Sequence, residues 1–505
     1  MPRWYLLPDD DADRELVEQT HPPDWANPKP VDRYNLVVVG AGTAGLVTAA
    51  GAAGLGAKVA LVERGLMGGD CLNFGCVPSK ALIRAARTAA LLRRAAEYGV
   101  RGGEPPVFDF EAAMQRMRRL RARLSPHDSA RRFRELGVDV FFGQGRFLDS
   151  STLDVDGTRL SFHSAVIATG ARAAVPNIPG LDTVPFLTNE TVFNLTRLPR
   201  RLGVVGAGPI GCELAQAFAQ FGSQVLLVES QHGVLPRDDR EGAEVVRDAM
   251  QRDGVQLLCC GRSLTVQPNA GGIQLIVESH GRLWQEHVDQ LLVATGRTPN
   301  LDELNLTAVG VESSPRGVQV NERLQTTNAR IFAAGDVCSL YPFTHAADAQ
   351  ARIVIQNSLF RGRKRWTSLV IPWCTYTTPE LAHVGLNEQQ AAEQQFPLDT
   401  YVQPWSKSDR AILDGEEEGF VKVHVRRGTD RLVGATIVAH HAGDLISELT
   451  SGLVHRRGLR QIGRTIHPYP TYGDALAKLA DQYNRTRLTP MVRFLFRHWL
   501  AWHRR

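Results

Sequence analysis

The sequence has no uninterrupted apolar run near the roughly 20 residues that cross a bilayer. Its most apolar stretch, LVVVGAGTAGLVTAAGAAGLGA, is broken repeatedly by glycine. The start, MPRWYLLPDDDADREL, lacks the basic-then-apolar pattern of a secretory leader, so a cytoplasmic setting is expected. Cysteine is sparse: there are seven, an odd number without the spacing of a secreted disulfide scaffold. In a reducing compartment a closely spaced pair is then expected to do chemistry rather than to staple the fold. Charge of one sign is not concentrated either. The formal net charge is +5 over 505 residues, with the basic residues spread along the chain, which argues against nucleic-acid binding. What remains is an ordinary globular composition, 43% hydrophobic and 22% charged, long enough for roughly two to four domains.

Against these absences stands a duplication. NLVVVGAGTAGLVTAAGAAGLGAKVALVER begins at residue 35 and RLGVVGAGPIGCELAQAFAQFGSQVLLVES at residue 201, each reading as strand, glycine turn, helix, strand. Gly40 precedes Glu63 by the same interval as Gly206 precedes Glu229. In the first copy Gly40 permits the tight turn, Gly42 admits a pyrophosphate, Gly45 lets helix and strand pack, and Glu63 would accept ribose hydroxyls. Gly206, Gly208, Gly211 and Glu229 repeat the case. Two nucleotide-binding units follow. A carboxylate at Glu229 accepts a ribose 2′-hydroxyl and repels a 2′-phosphate, so NADH is favoured, with NADPH the alternative if Arg237 or Arg240 reaches the phosphate.

Directly after the first unit comes GGDCLNFGCVPSKAL, where Cys71 and Cys76 are separated by four residues and an expected helix start follows. A helix N-terminus lowers a nearby thiol's pKa, which makes the pair a candidate redox centre. A structural zinc site would need further Cys or His ligands at short spacing, and none lie nearby. Cys259 and Cys260, adjacent in VQLLCCGRS, read as packing residues on opposite faces of a strand. The Arg-rich segment MQRMRRLRARL reads as a solvated helix face, and Pro22, Pro23, Pro28 and Pro30 within residues 1–30 suggest an irregular arm. An apolar run ending in Gly-Asp, as in TTNARIFAAGDV, places Asp336 at the C-terminal edge of a parallel sheet, where nucleotide sugars bind.

These motifs together resemble the class I pyridine nucleotide-disulfide oxidoreductases, a family that includes dihydrolipoamide dehydrogenase, glutathione reductase and mercuric reductase. The resemblance runs over about residues 33 to 485. It implies FAD and a nicotinamide dinucleotide as cofactors, with Cys76 against the flavin and Cys71 toward the substrate. It implies Lys80 near the flavin and paired with Glu213 of GPIGCE. VIATGA, with Thr169 and Gly170, and LVATGRTPN, with Gly296, look like crossings between the FAD and nicotinamide domains, and Asp336 matches the residue that bonds the FAD ribityl chain. The expected architecture is α/β: two Rossmann-like domains and a C-terminal α+β dimerisation domain. The expected boundaries are 1–30 for an extension, 31–185 and 300–370 for FAD, 186–299 for NAD, 371–487 for dimerisation and 488–505 for a tail.

One segment departs from the disulfide-reducing members. Where those carry a motif like HxHPTxSE, this sequence has His467-Pro468-Tyr469-Pro470-Thr471-Tyr472-Gly473-Asp474, so Tyr469 stands in the catalytic histidine's place and Asp474 in the glutamate's. A phenol with a reference pKa near 10 does not exchange protons at pH 7 as an imidazole does. Tyrosine here, and PWCTYTTPELAHVGL, resemble the mercuric reductase branch. Two thiolates at Cys71 and Cys76 would hold a soft metal ion as substrate, and no structural metal is expected. No cysteine follows Cys374, so the C-terminal pair that mercuric reductases use to pass the ion inward has no counterpart in this sequence. The expected enzyme is a homodimer with a shared active site. The alternatives are a dihydrolipoamide dehydrogenase-like enzyme and a membrane-associated redox sensor. For the latter, residues 488–505 form a basic amphipathic helix, with Val492, Leu495, Phe496 and Trp499 on one face and Arg493, Arg497 and Arg504 on the other. Such a helix either lies on an anionic membrane surface or packs against the enzyme's own dimer.

Overall fold

Tyr34–Val39 sends Leu36 and Val38 into one apolar core and Val37 and Val39 into another, the pattern of a strand covered on both faces. In a computed structural model describing residues 6–101 and 107–504, this strand is central to a sheet. Val59–Glu63 and then Asp139–Phe142 lie parallel on one side of it; Thr158–Ile167 lies parallel on the other and pairs with Ile331–Ala333. Antiparallel strands Thr152–Val155 and Gly145–Asp149 extend the far edge. The second glycine turn opens off another parallel sheet, of Val255–Leu258, Gln224–Val228, Arg201–Val205 and Gln290–Val293 in that order. A three-stranded antiparallel sheet, Arg262–Asn269, Gly272–Ser279 and Arg282–Val288, is inserted between its last two strands in sequence. Ala171–Ala173 and Arg297–Pro299, from the two expected crossings, pair antiparallel.

All of this belongs to one compact unit, Met1–Ser230 with Gly254–Leu369. The second unit, Gln231–Asp253 with Val370–Arg505, holds a five-stranded antiparallel sheet of Trp373–Thr375, Glu380–Gly385, Leu432–Ala439, Phe420–Arg426 and Leu398–Pro404. Helices Ala442–Val454 and Asp474–Thr486 pack on its core. The tail does form a helix, Pro490–Trp502, started by Thr489 as its cap, but none of its residues is buried in the chain. No helix among the described residues is long and apolar enough to cross a membrane. Residues 1–5 of the extension and Arg505 of the tail lie outside the described residues.

Three sequence expectations are corrected. The extension is not an irregular arm: Asp11–Thr20 is a helix, because its prolines flank the segment and Asp10 accepts from the Asp13 amide at 3.0 Å as its cap. The arginines of Phe110–Leu124 do not all face water. Arg118 and Arg121 are 1% exposed and bind Asp10 (2.6 Å) and Asp13 (2.7 Å) of that N-terminal helix, and Arg121 also donates to the Asn73 carbonyl at 2.9 Å. A helical charge pattern is blind to a partner helix over a hundred residues away. Finally, Cys259 and Cys260 are not strand neighbours, since the strand Val255–Leu258 ends before them. The buried pair yields a stability prediction. Asp13→Ala leaves the Arg121 guanidinium buried without its counter-charge, which costs about 3–5 kcal/mol. A denaturant titration should show the lowered midpoint, and an unchanged midpoint would mean that water reaches Arg121.

Candidate active site

The two glycine turns are built alike. Gly40 and Gly206 both sit at φ +103°, and a Cβ on either would come within 2.4–2.6 Å of the Ala168 or Ala294 carbonyl oxygen. Gly42 and Gly208 differ from them: a Cβ on Gly208 would meet nothing within 4 Å, and one on Gly42 only the Gly69 Cα at 3.7 Å. The protein leaves that space open. Gly45 and Gly211 press against the Gly40 and Gly206 carbonyls, as helix-packing glycines must. Neither Thr43–Gly54 nor Pro209–Phe221 has a side-chain cap, so first-turn N–H groups are left for an anion. The likeness extends to the acids. Glu63 Oε2 accepts from the Ala41 amide at 2.6 Å and Glu229 Oε2 from the Ala207 amide at 2.7 Å, the equivalent residue of each turn. Burial pushes the Glu63 carboxyl above its ordinary pKa. Open space at the middle glycine, uncapped helix starts and a tethered acid fit two dinucleotides.

Cys71 lies in the short helix Gly69–Asn73, and Cys76 is the first residue of Cys76–Arg93. Neither is in a disulfide. One turn along, Lys80 Nζ is 2.7 Å from Oε2 of the buried Glu213. Thr344 Oγ1 lies 3.4 Å from Cys76 Sγ. These surroundings split the two thiols. The Cys71 thiol donates to Cys76, and with help from Thr344 and the Lys80 charge it overcomes desolvation and pulls the Cys76 pKa down to about 6. The same hydrogen bond, then burial, pushes Cys71 up. Cys76 is therefore the thiolate and Cys71 the proton holder at neutral pH.

Asp336 is pushed up by burial and held back by Arg297, whose Nε is 3.4 Å away. Arg297 also reaches Asp70 Oδ2 at 3.2 Å, and Asp70 Oδ1 accepts from Asn189 at 2.9 Å. Thr169 Oγ1 donates to the Asn300 carbonyl (2.7 Å) and Asn300 Nδ2 to the Thr169 carbonyl (2.9 Å), which clamps the two crossings beside Gly170 and Gly296. Sequence reading missed Asp70, Asn189, Arg297 and Thr344. Asp70 adjoins Cys71 and Arg297 follows Gly296, signals that could have been used; Asn189 and Thr344 come from distant segments and carry none.

Tyr469 and Asp474 lie in the second unit. The Tyr469 hydroxyl donates to Asp409 Oδ2 at 2.9 Å, a bond that holds the exposed phenol above its ordinary pKa. Asp474 pairs with Lys478 at 2.9 Å, one turn along its helix. His467, from the same segment, is nearly buried with Nε2 3.2 Å from Glu448 Oε2, and its Nδ1 has no hydrogen-bond partner among the described residues.

The sequence matches the pyridine nucleotide-disulphide oxidoreductase family over residues 34–351 and that family's dimerisation domain over 371–480. A mercuric reductase of Staphylococcus aureus is 35% identical over 453 residues, 90% of this chain and 83% of that protein. A dihydrolipoyl dehydrogenase of Thermus scotoductus is 33% identical over 462 residues, 90% of this chain and 98% of that one. Among solved structures, the HOCl-induced flavoprotein disulfide reductase RclA of Escherichia coli superposes with a TM-score of 0.78 at 28% identity, covering 89% of this chain and 99% of that one. LpdA of Mycobacterium tuberculosis gives 0.80 at 27% identity, covering 90% and 100%.

Proposed function

This chain belongs to the pyridine nucleotide-disulphide oxidoreductase family, and from that premise we propose that it passes electrons from NADH through Cys71 and Cys76 to a soft metal ion or another thiol-reactive acceptor. Enzymes of this family use FAD and a nicotinamide dinucleotide. Residues 31–185 and 300–370 would hold FAD, residues 186–299 the nicotinamide, and the region matching the dimerisation domain would pair two copies into a shared site. The observation that carries the reading is the split thiol pair beside Lys80 and Glu213, combined with a phenol, already bonded to Asp409, where a base would be needed.

Bound FAD supplies the two-electron relay between nicotinamide and sulfur. The rest is done by the chain. Gly42 and Gly208 would admit the pyrophosphates, Glu63 and Glu229 would hold the riboses, and Asp336 would accept from the ribityl chain. Lys80, fixed by Glu213, keeps a positive charge one turn from Cys76 and stabilises its thiolate. Two electrons and one proton open the Cys71–Cys76 disulfide into the Cys76 thiolate and the Cys71 thiol. Loss of the Cys71 proton then gives two thiolates that can hold a soft dication; they give it two electrons as the Cys71–Cys76 disulfide re-forms, and no proton has to be delivered to a leaving group.

The second reading, reduction of a disulfide substrate, is favoured by one observation. His467 and Glu448 form an imidazole–carboxylate pair of the kind that serves general acid-base catalysis. An acceptor screen following NADH consumption by the FAD-loaded protein separates the two. Hg(II)-dependent oxidation well above that with lipoamide or glutathione disulfide is the expected result; dominant lipoamide reduction would replace the first reading by the second.

Donor choice tests Glu229. Its carboxylate opposes a 2′-phosphate, so Glu229→Ala should narrow the NADH-over-NADPH ratio of kcat/KM by about tenfold. A wild-type preference for NADPH would show that a cation outweighs Glu229.

A further inference from the structure

Cys259 and Cys260 are a second pair of thiols that the redox mechanism leaves unused. The strand Val255–Leu258 stops just before them, and Cys260 adopts φ +55°, a left-handed conformation that side chains rarely take. The alternation that would send neighbouring side chains to opposite faces is broken there, and the two Sγ atoms lie within 4.8 Å of each other. A third donor comes from the tight turn between Gly272–Ser279 and Arg282–Val288. His280 and Gly281 form that turn, both at positive φ (+50° and +74°), and His280 Nε2 is 3.3 Å from Cys259 Sγ. The approach is fastened on both sides. Ser279 Oγ donates to the Cys259 carbonyl at 2.6 Å, and the Gly261 amide donates to the Glu229 carbonyl at 2.8 Å. Two non-glycine residues are thus held in a disfavoured backbone region around one sulfur atom, a feature that recurs at ligand-binding sites. Both cysteines are half-buried and His280 is exposed, so an ion can enter.

We propose that Cys259, Cys260 and His280 form a binding site for a thiophilic d10 cation of the Zn(II), Cd(II) or Cu(I) class, separate from the Cys71–Cys76 pair. Two thiolates and an imidazole are a donor set that such ions prefer over Mg(II) or Ca(II). Bonds of about 2.3 Å to sulfur and about 2.0 Å to nitrogen require the exposed His280 turn to move in toward the two thiols, and its Nε2 is already 3.3 Å from Cys259 Sγ. As a dication binds, each thiol releases its proton, so two protons leave and no electron is transferred. The site does not depend on which acceptor the redox pair serves.

The test uses the full-length, FAD-loaded protein without NADH, with a Cys71→Ser/Cys76→Ser chain beside it to set the thiolates of the redox pair aside. Titration with CdCl2 is followed by ultraviolet thiolate-to-Cd(II) charge-transfer absorption and by the cadmium retained after gel filtration. One Cd(II) per chain is expected, lost in Cys259→Ser and in Cys260→Ser. His280→Asn places a residue favoured in this type of turn, so the hairpin persists while the imidazole is gone, and the affinity should fall by about tenfold or more. Circular dichroism and flavin content establish that each variant is folded. Uptake that survives loss of both cysteines overturns the proposal, as does a His280→Asn titration superimposable on wild type. Uptake that vanishes instead in a Cys71→Ser/Cys76→Ser chain assigns the metal to the redox pair and equally overturns it.

Discussion

Cys76→Ser should lower acceptor-dependent NADH oxidation by about 10³-fold or more, because a hydroxyl at that position neither ionises near neutrality nor forms the disulfide. The variant should also lack the long-wavelength absorption that two-electron reduction of the wild type produces from a thiolate against oxidised flavin. In wild type this absorption reports the charge on Cys76, whose pKa is pulled down to about 6. A lowered thiol pKa means that the anion is present above that value, so the band should be full at pH 8 and fade as the pH falls through about 6. Cys71→Ala removes the largest lowering influence, the hydrogen bond from Cys71, and should move the midpoint up toward the ordinary thiol value near 8.5. The opposite pattern, with the band kept in Cys76→Ser and abolished by loss of Cys71, reverses the two roles.

The second large effect concerns the missing base. Tyr469→His should raise lipoamide or glutathione disulfide reduction from a low wild-type rate, by as much as about 10²- to 10⁴-fold if the new imidazole is well placed. The hydroxyl of Tyr469 is committed to Asp409, which can equally orient a histidine there. His467→Gln is the companion experiment. Should the His467–Glu448 pair already act as acid and base, wild type will reduce disulfides strongly, His467→Gln will lose that activity, and Tyr469→His will add nothing. That outcome would favour the disulfide-reducing reading over the metal-directed one.

Local chemistry was legible in the sequence to different depths. The glycine turns, the acids after them and the thiol pair could be read because each rests on residues close together in the chain, where a turn, a helix start and a strand end fix the geometry. The Lys80–Glu213 contact was available only through resemblance, since 133 positions separate the two. Asn189 and Thr344 could not be found at all: each reaches the thiol region from a segment with no motif of its own. Cys259 and Cys260 failed for a different reason. The strand ends two residues short of Cys260, and no rule of alternation foresees a cysteine at φ +55°. The N-terminal helix was hidden by its prolines, and its role by the distance to Arg118 and Arg121.

That last pairing has a consequence for the order in which the molecule is made. Asp10 and Asp13 leave the ribosome first, but Arg118 and Arg121 follow 108 residues later in each case. At ordinary elongation rates this is a wait of roughly 5–20 s, during which the acidic segment has no counter-charge. Arg121 also anchors the Asn73 carbonyl, between the two redox cysteines, so the segment carrying Cys71 and Cys76 cannot be locked until that helix has emerged. From the translation of Cys76 to that of Arg121, the segment that carries the two thiols lacks this anchor. The packing of the redox segment is therefore completed only after residue 121 has been translated.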